Sequence, residues 1–181
     1  MGEPQSSAEA PSVEELVVVP AGVVHAIRML TNSSRLSEWM APHVRLDRRF
    51  AGSVLEPGNR FRLESVGGVG FDYLVEAVSA REVVFAFEGP WSGRERWSFV
   101  PDGADTIVRR RYEVHAGTPL AMLAWRTGGR AVVTAHYKLE LARFRSALQR
   151  DPGPRGAIEG PQPPERLAEA SGTMPFPVDD A

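Results

Sequence analysis

Arg110 is the side chain in this sequence with the most chemistry to explain. It lies in Thr106 to His115, a run that alternates as a β-strand does, so Val108, Arg110, Tyr112 and Val114 share one face while Arg109, Arg111 and Glu113 take the other. The face with valines and tyrosine is the one that meets a core, and it carries the guanidinium of Arg110 inward. The run before it, Arg94 to Val100, places Glu95 on the face of Trp97 and Phe99. If the two runs form a hairpin in which Phe99 faces Val108, then Trp97 faces Arg110 and Glu95 faces Tyr112. Arg110 can then stack on Trp97 and reach Glu95 along the diagonal. An inward arginine must be paired or bind an anion, because an uncompensated buried charge costs several kcal/mol. Three readings stay open: a cation that holds a ligand carboxylate or enolate, a structural Arg–Glu pair, or an arginine that snorkels out at the sheet edge. On the first reading, Arg110→Ala abolishes ligand binding and leaves the fold intact.

The other reactive residue types are sparse. Of the four histidines, His25, His43, His115 and His136, no two stand at i, i+4 and none carries a metal-binding carboxylate motif, so no metal is expected. His136 adjoins an apolar helical stripe and is a candidate acid or base near neutral pH, against the plainer reading of a half-exposed surface imidazole. The absence of cysteine excludes disulfides, thiolate catalysis and Cys-ligated zinc, and fits a reducing compartment. There is no Gly-x-Ser-x-Gly elbow, P-loop or HExxH, and Gly67 to Gly70 is too irregular for a dinucleotide fingerprint. No cofactor is expected. A net charge of −2 provides no basic field for nucleic acid, and Arg109-Arg110-Arg111 is both short and divided between faces. No apolar run approaches the roughly 18 residues of a membrane span and no signal peptide pattern opens the chain, so the expected location is the cytoplasm.

The elements that must position these groups can be read from periodicity. With 181 residues, 43% of them hydrophobic, the chain suits one domain with spare length at its ends. Residues 1–12 and 151–181 are polar or rich in Pro and Gly and are expected to be disordered tails around a domain at 13–150. Val13 to Val19 reads as a strand, Ala21 to Leu30 as a short helix, and Leu36 to Met40 as a second. The period then becomes two: Val44, Leu46 and Phe50; Phe61 and Leu63; Phe71, Tyr73, Val75 and Ala77; Glu82 to Glu88; then the two runs that carry Glu95 and Arg110. Thr118 caps an apolar segment that Gly128-Gly129 kinks or breaks. Arg130 to Arg150 is the longest helical pattern, with Val133, Tyr137, Leu141, Phe144 and Leu148 on one face and Lys138, Arg143, Arg145 and Gln149 on the other. At about 1.5 Å per residue it spans roughly 30 Å, enough to cross the domain.

Strand, two short helices, six strands in a meander and a long helix is an order that resembles the helix-grip fold of the SRPBCC superfamily, which includes START domains, birch-pollen-allergen-like proteins and polyketide cyclases. Val17-Val18-Val19-Pro20-Ala21 followed by Trp39 resembles that superfamily's opening. Glu88-Gly89-Pro90-Trp91, Trp97-Ser98-Phe99 and Asp102-Gly103-Ala104-Asp105-Thr106 resemble its last hairpin, with Asp105-Thr106 where Gly-Thr is usual. The resemblance implies an α+β fold in which a curved seven-stranded antiparallel sheet wraps a long C-terminal helix and leaves a cavity between them. It implies a hydrophobic, lipid-like or polyketide-like small-molecule ligand, with walls formed by Trp39, Phe61, Phe71, Tyr73, Phe85, Phe87, Glu95, Trp97, Phe99, Arg110, Tyr112, Trp125, Val133 and Tyr137. The plainer alternative is a filled aromatic core. A polyketide cyclase would instead use Arg110, Tyr73, Tyr112 and His136 to stabilise an enolate and move protons during aldol closure and dehydration. A chaperone-activating module acting through its surface is a third class, and the sequence reveals no exposed apolar patch for it. Oligomeric state is left open between monomer and homodimer.

Overall fold

The computed structural model describes residues 11–47, 53–65, 68–151 and 153. The alternating runs become seven strands: β1 (Ser12–Val19), β2 (Val44–Asp47), β3 (Arg60–Ser65), β4 (Gly70–Val78), β5 (Glu82–Glu88), β6 (Trp91–Asp102) and β7 (Asp105–Gly117). They form one sheet in the order β1-β7-β6-β5-β4-β3-β2, antiparallel throughout. From β2 to β7 each strand pairs with its successor, while β1 joins the far edge against β7. Helices α1 (Val23–Thr31) and α2 (Leu36–Trp39) fill the connection from β1 to β2. After β7 come α3 (Pro119–Ala124), a wide turn at Trp125–Gly129, and α4 (Arg130–Arg150), which lies against β1 and α2. A curled antiparallel sheet gripping a long C-terminal helix is the helix-grip fold, the α+β architecture expected.

The register of the last hairpin is the one that strand parity requires. Phe99 pairs with Val108, Trp97 with Arg110, and Glu95 with Tyr112. Gly103 turns the hairpin with φ of +60°, a left-handed conformation that costs glycine little. Tyr137, Leu141, Phe144 and Leu148 of α4 are buried as the helical stripe demands, and Val133 is half-buried. Trp39 of α2, Trp97 of β6 and Phe144 of α4 pack edge-on or tilted with centroids 5.5–5.6 Å apart, fastening the two helices to the sheet. Thr118 accepts a hydrogen bond from the Ala121 amide at 3.2 Å and caps α3, and Gly128 leaves helical geometry before α4 begins.

Several local expectations need correction. Ala77 is exposed rather than inward, because a bulge between Val75 and Ala77 shifts the alternation of β4. The hairpin strands run longer than expected, from Trp91 and to Gly117, since a second bulge at Ser92/Gly93 lets pairing continue past Glu95. Arg143, expected on the wet face of α4, is half-buried and donates from Nε to the carbonyl of Met40 at 2.9 Å. That carbonyl belongs to the chain leaving α2, where no helical N–H is left to bond it. Ser12 already pairs in β1, while Asp151 closes the end of α4 by pairing with Arg35. Phe50, Gly67 and nearly all of the expected tails lie outside the described residues.

Candidate functional site

Between sheet and α4 lies a cavity of about 370 Å³, within the range of small-molecule sites. The sheet contributes Phe61, Phe71, Tyr73, Phe85, Glu95, Trp97, Arg110 and Tyr112, α2 contributes Trp39, and α4 contributes Val133, His136 and Tyr137. These twelve are all residues that the sequence put at a ligand site. Three others are in the core but not on the cavity wall. Phe87 is stacked on Tyr112 with centroids 4.3 Å apart, and Trp125 is stacked on the same ring at 6.0 Å. Trp125 also packs on Trp91 at 5.8 Å, and Phe99 lies two residues beyond Trp97, buried in the core. The strands put Phe87 and Phe99 in the interior and the helical segment put Trp125 there, yet an inward side chain fills space when neighbouring rings close over it.

The polar groups of the cavity are organised by Glu95. Its Oε1 accepts from Trp97 Nε1 at 2.6 Å and from Arg110 Nε at 2.9 Å, and its Oε2 accepts from the hydroxyls of Tyr137 at 2.8 Å and Tyr73 at 3.3 Å. Four donors from β4, β6, β7 and α4 therefore occupy one carboxylate, which can accept about four. Arg110 lies with its guanidinium carbon 3.5 Å from the Tyr137 ring centroid and 4.5 Å from that of Trp97. Its Nη1 donates to Glu140 Oε2 at 2.5 Å. Arg110 is thus held by two buried carboxylates, and the structural pairing with Glu95 left open by the sequence is present.

Glu140 was not among the residues singled out from the sequence. It stands three residues after Tyr137 and four before Phe144, inside the apolar stripe of α4, and a carboxylate in such a stripe is the signal that could have found it. Its Oε1 accepts from the Ala41 amide at 3.0 Å and lies 3.2 Å from His136 Nε2. Burial pushes the Glu140 carboxyl up, but Arg110, His136 and the Ala41 amide outweigh it and hold the group down at about 2. Burial acts to lower the pKa of Arg110, but Glu95, the Tyr137 phenol and Glu140 outweigh it, so its pKa is raised. Burial, with the nearby Glu95, raises the phenol of Tyr73 well above its ordinary value, and burial also raises Tyr137 despite Arg110. Tyr112 stays apart from this network. Its hydroxyl accepts from Trp91 Nε1 at 2.7 Å, and burial raises its pKa although that bond lowers it.

His136 is on the cavity wall but paired with Glu140, not standing free, and the His43 ring lies 5.2 Å from it. The i, i+4 relation that matters on α4 is therefore between a histidine and a carboxylate. Trp39 has its indole N–H packed in without an acceptor among the described residues. Among the described residues, no three His, Cys, Asp or Glu side chains gather as metal ligands would. No helix among them is long and apolar enough to cross a membrane.

No family model matches the chain, and no curated protein matches it in sequence. Solved structures do. The chain is similar to DynU16, a protein of the dynemicin biosynthetic locus, with a TM-score of 0.59 and 18% identity over 76% of this chain and 47% of DynU16. It is similar to CalU16 from Micromonospora echinospora, with a TM-score of 0.54 and 16% identity over 80% of this chain and 78% of that one. The Aha1 dimer from Colwellia psychrerythraea gives 0.58 and 15% over 79% and 99%. The chain spans less than half the length of DynU16. At these identities the likeness is one of fold, and it is the helix-grip fold.

Proposed function

We propose that the protein binds a hydrophobic small molecule with an aromatic frame, enclosed between the sheet and α4, and that the chain is a divergent member of the SRPBCC superfamily. The observation that carries this reading is the cavity itself. Its wall is built mainly of aromatic and aliphatic side chains around a small polar cluster, the composition of a site that binds by shape and desolvation. A purely structural aromatic core would close to native packing density and leave only water-sized voids. The twelve wall residues named above would be the contact residues. Organic extraction and mass spectrometry of freshly purified full-length protein tests the reading. A stoichiometric aromatic or lipid-like compound is the expected result; an empty extract, together with no saturable uptake of naphthalene-type probes, would overturn it.

A second reading, a cyclase acting by aldol closure and dehydration, is favoured by one observation. His136 faces the cavity with Nε2 held beside Glu140, an arrangement that orients an imidazole for proton transfer. The neighbour from the dynemicin biosynthetic locus is in keeping with it. Against it, Tyr73 donates its proton to Glu95, and Arg110 already faces two carboxylates, so neither is poised as an enolate stabiliser. Turnover of an enolisable aromatic ketone by wild type, lost in His136→Phe with binding retained, would establish this reading; binding without turnover leaves the first.

A further inference from the structure

A helix as short as the six residues of α3 is marginal in water unless it packs a face against something. Yet none of the residues of α3 is buried. Ala121 and Met122 are half-buried, while Leu120, Leu123 and Ala124, at the i, i+3, i+4 spacing of one helical face, are exposed. Leu120 is 75% exposed and Leu123 57%. Past the turn at Trp125–Gly129, α4 opens with Arg130, Ala131 and Val132 exposed. Val132 is 70% exposed and is also on the cavity wall, as is Val69, 45% exposed, from the connection between β3 and β4. At these two residues the cavity meets solvent through apolar side chains.

The charge of the region is one-sided. The chain carries 23 acidic residues, but Val114 to Leu139 holds none, against Arg126, Arg130 and Lys138. Lys138 is paired with Glu15 at 3.7 Å, whereas Arg126 and Arg130 are exposed and make no ion pair among the described residues. Exposed leucines beside free arginines suit an anionic bilayer, where the apolar side chains enter the headgroup layer and the guanidinium groups meet lipid phosphates. A second copy of the chain fits less well, since a two-fold contact sets the same arginines against each other. An acidic protein would meet the arginines but would give a hydrophobic ligand no apolar phase at the cavity rim.

We infer that α3 and the start of α4 dock on an anionic lipid surface through Leu120, Leu123, Arg126 and Arg130, and that the ligand passes between that surface and the cavity past Val132. The docking stands on the exposed residues alone; the passage rests on the ligand-binding reading above.

Flotation of the full-length protein with phosphatidylcholine vesicles, with and without about 30% phosphatidylglycerol, tests the docking. Binding to the anionic vesicles should exceed binding to the neutral ones at least about tenfold in about 20 mM NaCl, and most of that gain should vanish in about 500 mM. Leu120→Ser with Leu123→Ser, and separately Arg126→Gln with Arg130→Gln, should each weaken binding to anionic vesicles at least about fivefold. None of these four side chains is on the cavity wall, so uptake of 2-acetonaphthone should be unchanged in both variants. Equal binding to the two vesicle types, no binding to either, or full binding by both folded variants overturns the docking. The comparison of lipids and of salt needs no variant. Self-association that the leucine pair abolishes, without lipid binding, assigns the face to a second copy and overturns it as well. For the passage, the rate at which a protein-bound fluorescent naphthyl ketone enters anionic vesicles should rise with vesicle concentration. A rate independent of vesicle concentration means release through water and overturns the passage. A protein that docks but takes up no probe loses the ligand-binding reading and the passage, and the docking stands; one that takes up the probe without docking loses only this inference.

Discussion

Arg110 illustrates how much a single buried charge asks of its surroundings. Its guanidinium is sandwiched by two rings and pairs with two carboxylates, each of which has further donors. Arg110→Ala would leave Glu95 and Glu140 facing each other without a counter-charge, so we expect a loss of about 3–5 kcal/mol of stability by urea denaturation. That differs from the sequence expectation of a folded protein that merely fails to bind. Glu140 makes a separate prediction about acid. Its folded-state value of about 2 lies below the ordinary 4.5, so the unfolded chain takes up the proton first as pH falls. The stabilisation, about 3 kcal/mol, is fully present above pH 4.5 and is lost as pH drops toward 2. Urea titrations from pH 6 to pH 2 should show this slope in wild type and a shallower one in Glu140→Gln; identical slopes would contradict the assignment. At this scale the sequence was informative where parity operates. Arg110, Glu95 and Trp97 follow from strand alternation, since an inward side chain is fixed once its neighbours are apolar. Glu140 was hidden because a single acid in a helix reads as solvent-facing until its place in the stripe is counted.

Elements decide which inward side chains reach the cavity and which only fill the core. The bulge at Ser92/Gly93 is an example. A Cβ at Gly93 would lie 1.8 Å from the Glu113 carbonyl oxygen and 2.7 Å from Phe87 Cζ, so β6 and β7 approach there as only glycine allows. Gly93→Ala should cost about 1–3 kcal/mol or more by chemical denaturation, as overpacking does. It should also displace Phe87 and, through their stacking, the Tyr112 ring on the cavity wall. A variant as stable as wild type would mean that the close approach is not maintained in solution. Strand and helix existence was legible from period, down to the register of the last hairpin. The bulges were not: an extra residue in one strand is set by the partner strand's backbone, and single-sequence alternation carries no trace of it until the sheet is assembled. Ala77 was therefore placed inward, and Phe87, Phe99 and Trp125 were placed on a wall that neighbouring rings occupy.

For the molecule as a whole, the architecture was legible because every level agreed: one long helix, a meander, turns at Gly and Pro, and a strand-helix opening. The cavity was not legible from periodicity, since an apolar sheet face looks the same whether it meets packing or space. Ligand binding would stabilise the fold by mass action, raising Tm with probe concentration. The central claim is that this space is occupied by a ligand, and the most direct measurement is an amide and indole NMR titration of labelled full-length protein with 2-acetonaphthone. Trp39 and Trp97 stand on the wall, whereas Trp125 is buried in the core beside it. Saturable shifts of the Trp39 and Trp97 indole signals, with a smaller response at Trp125, are predicted at one-to-one stoichiometry. Shifts confined to surface amides, or no saturation while the protein stays folded, would contradict an internal binding site.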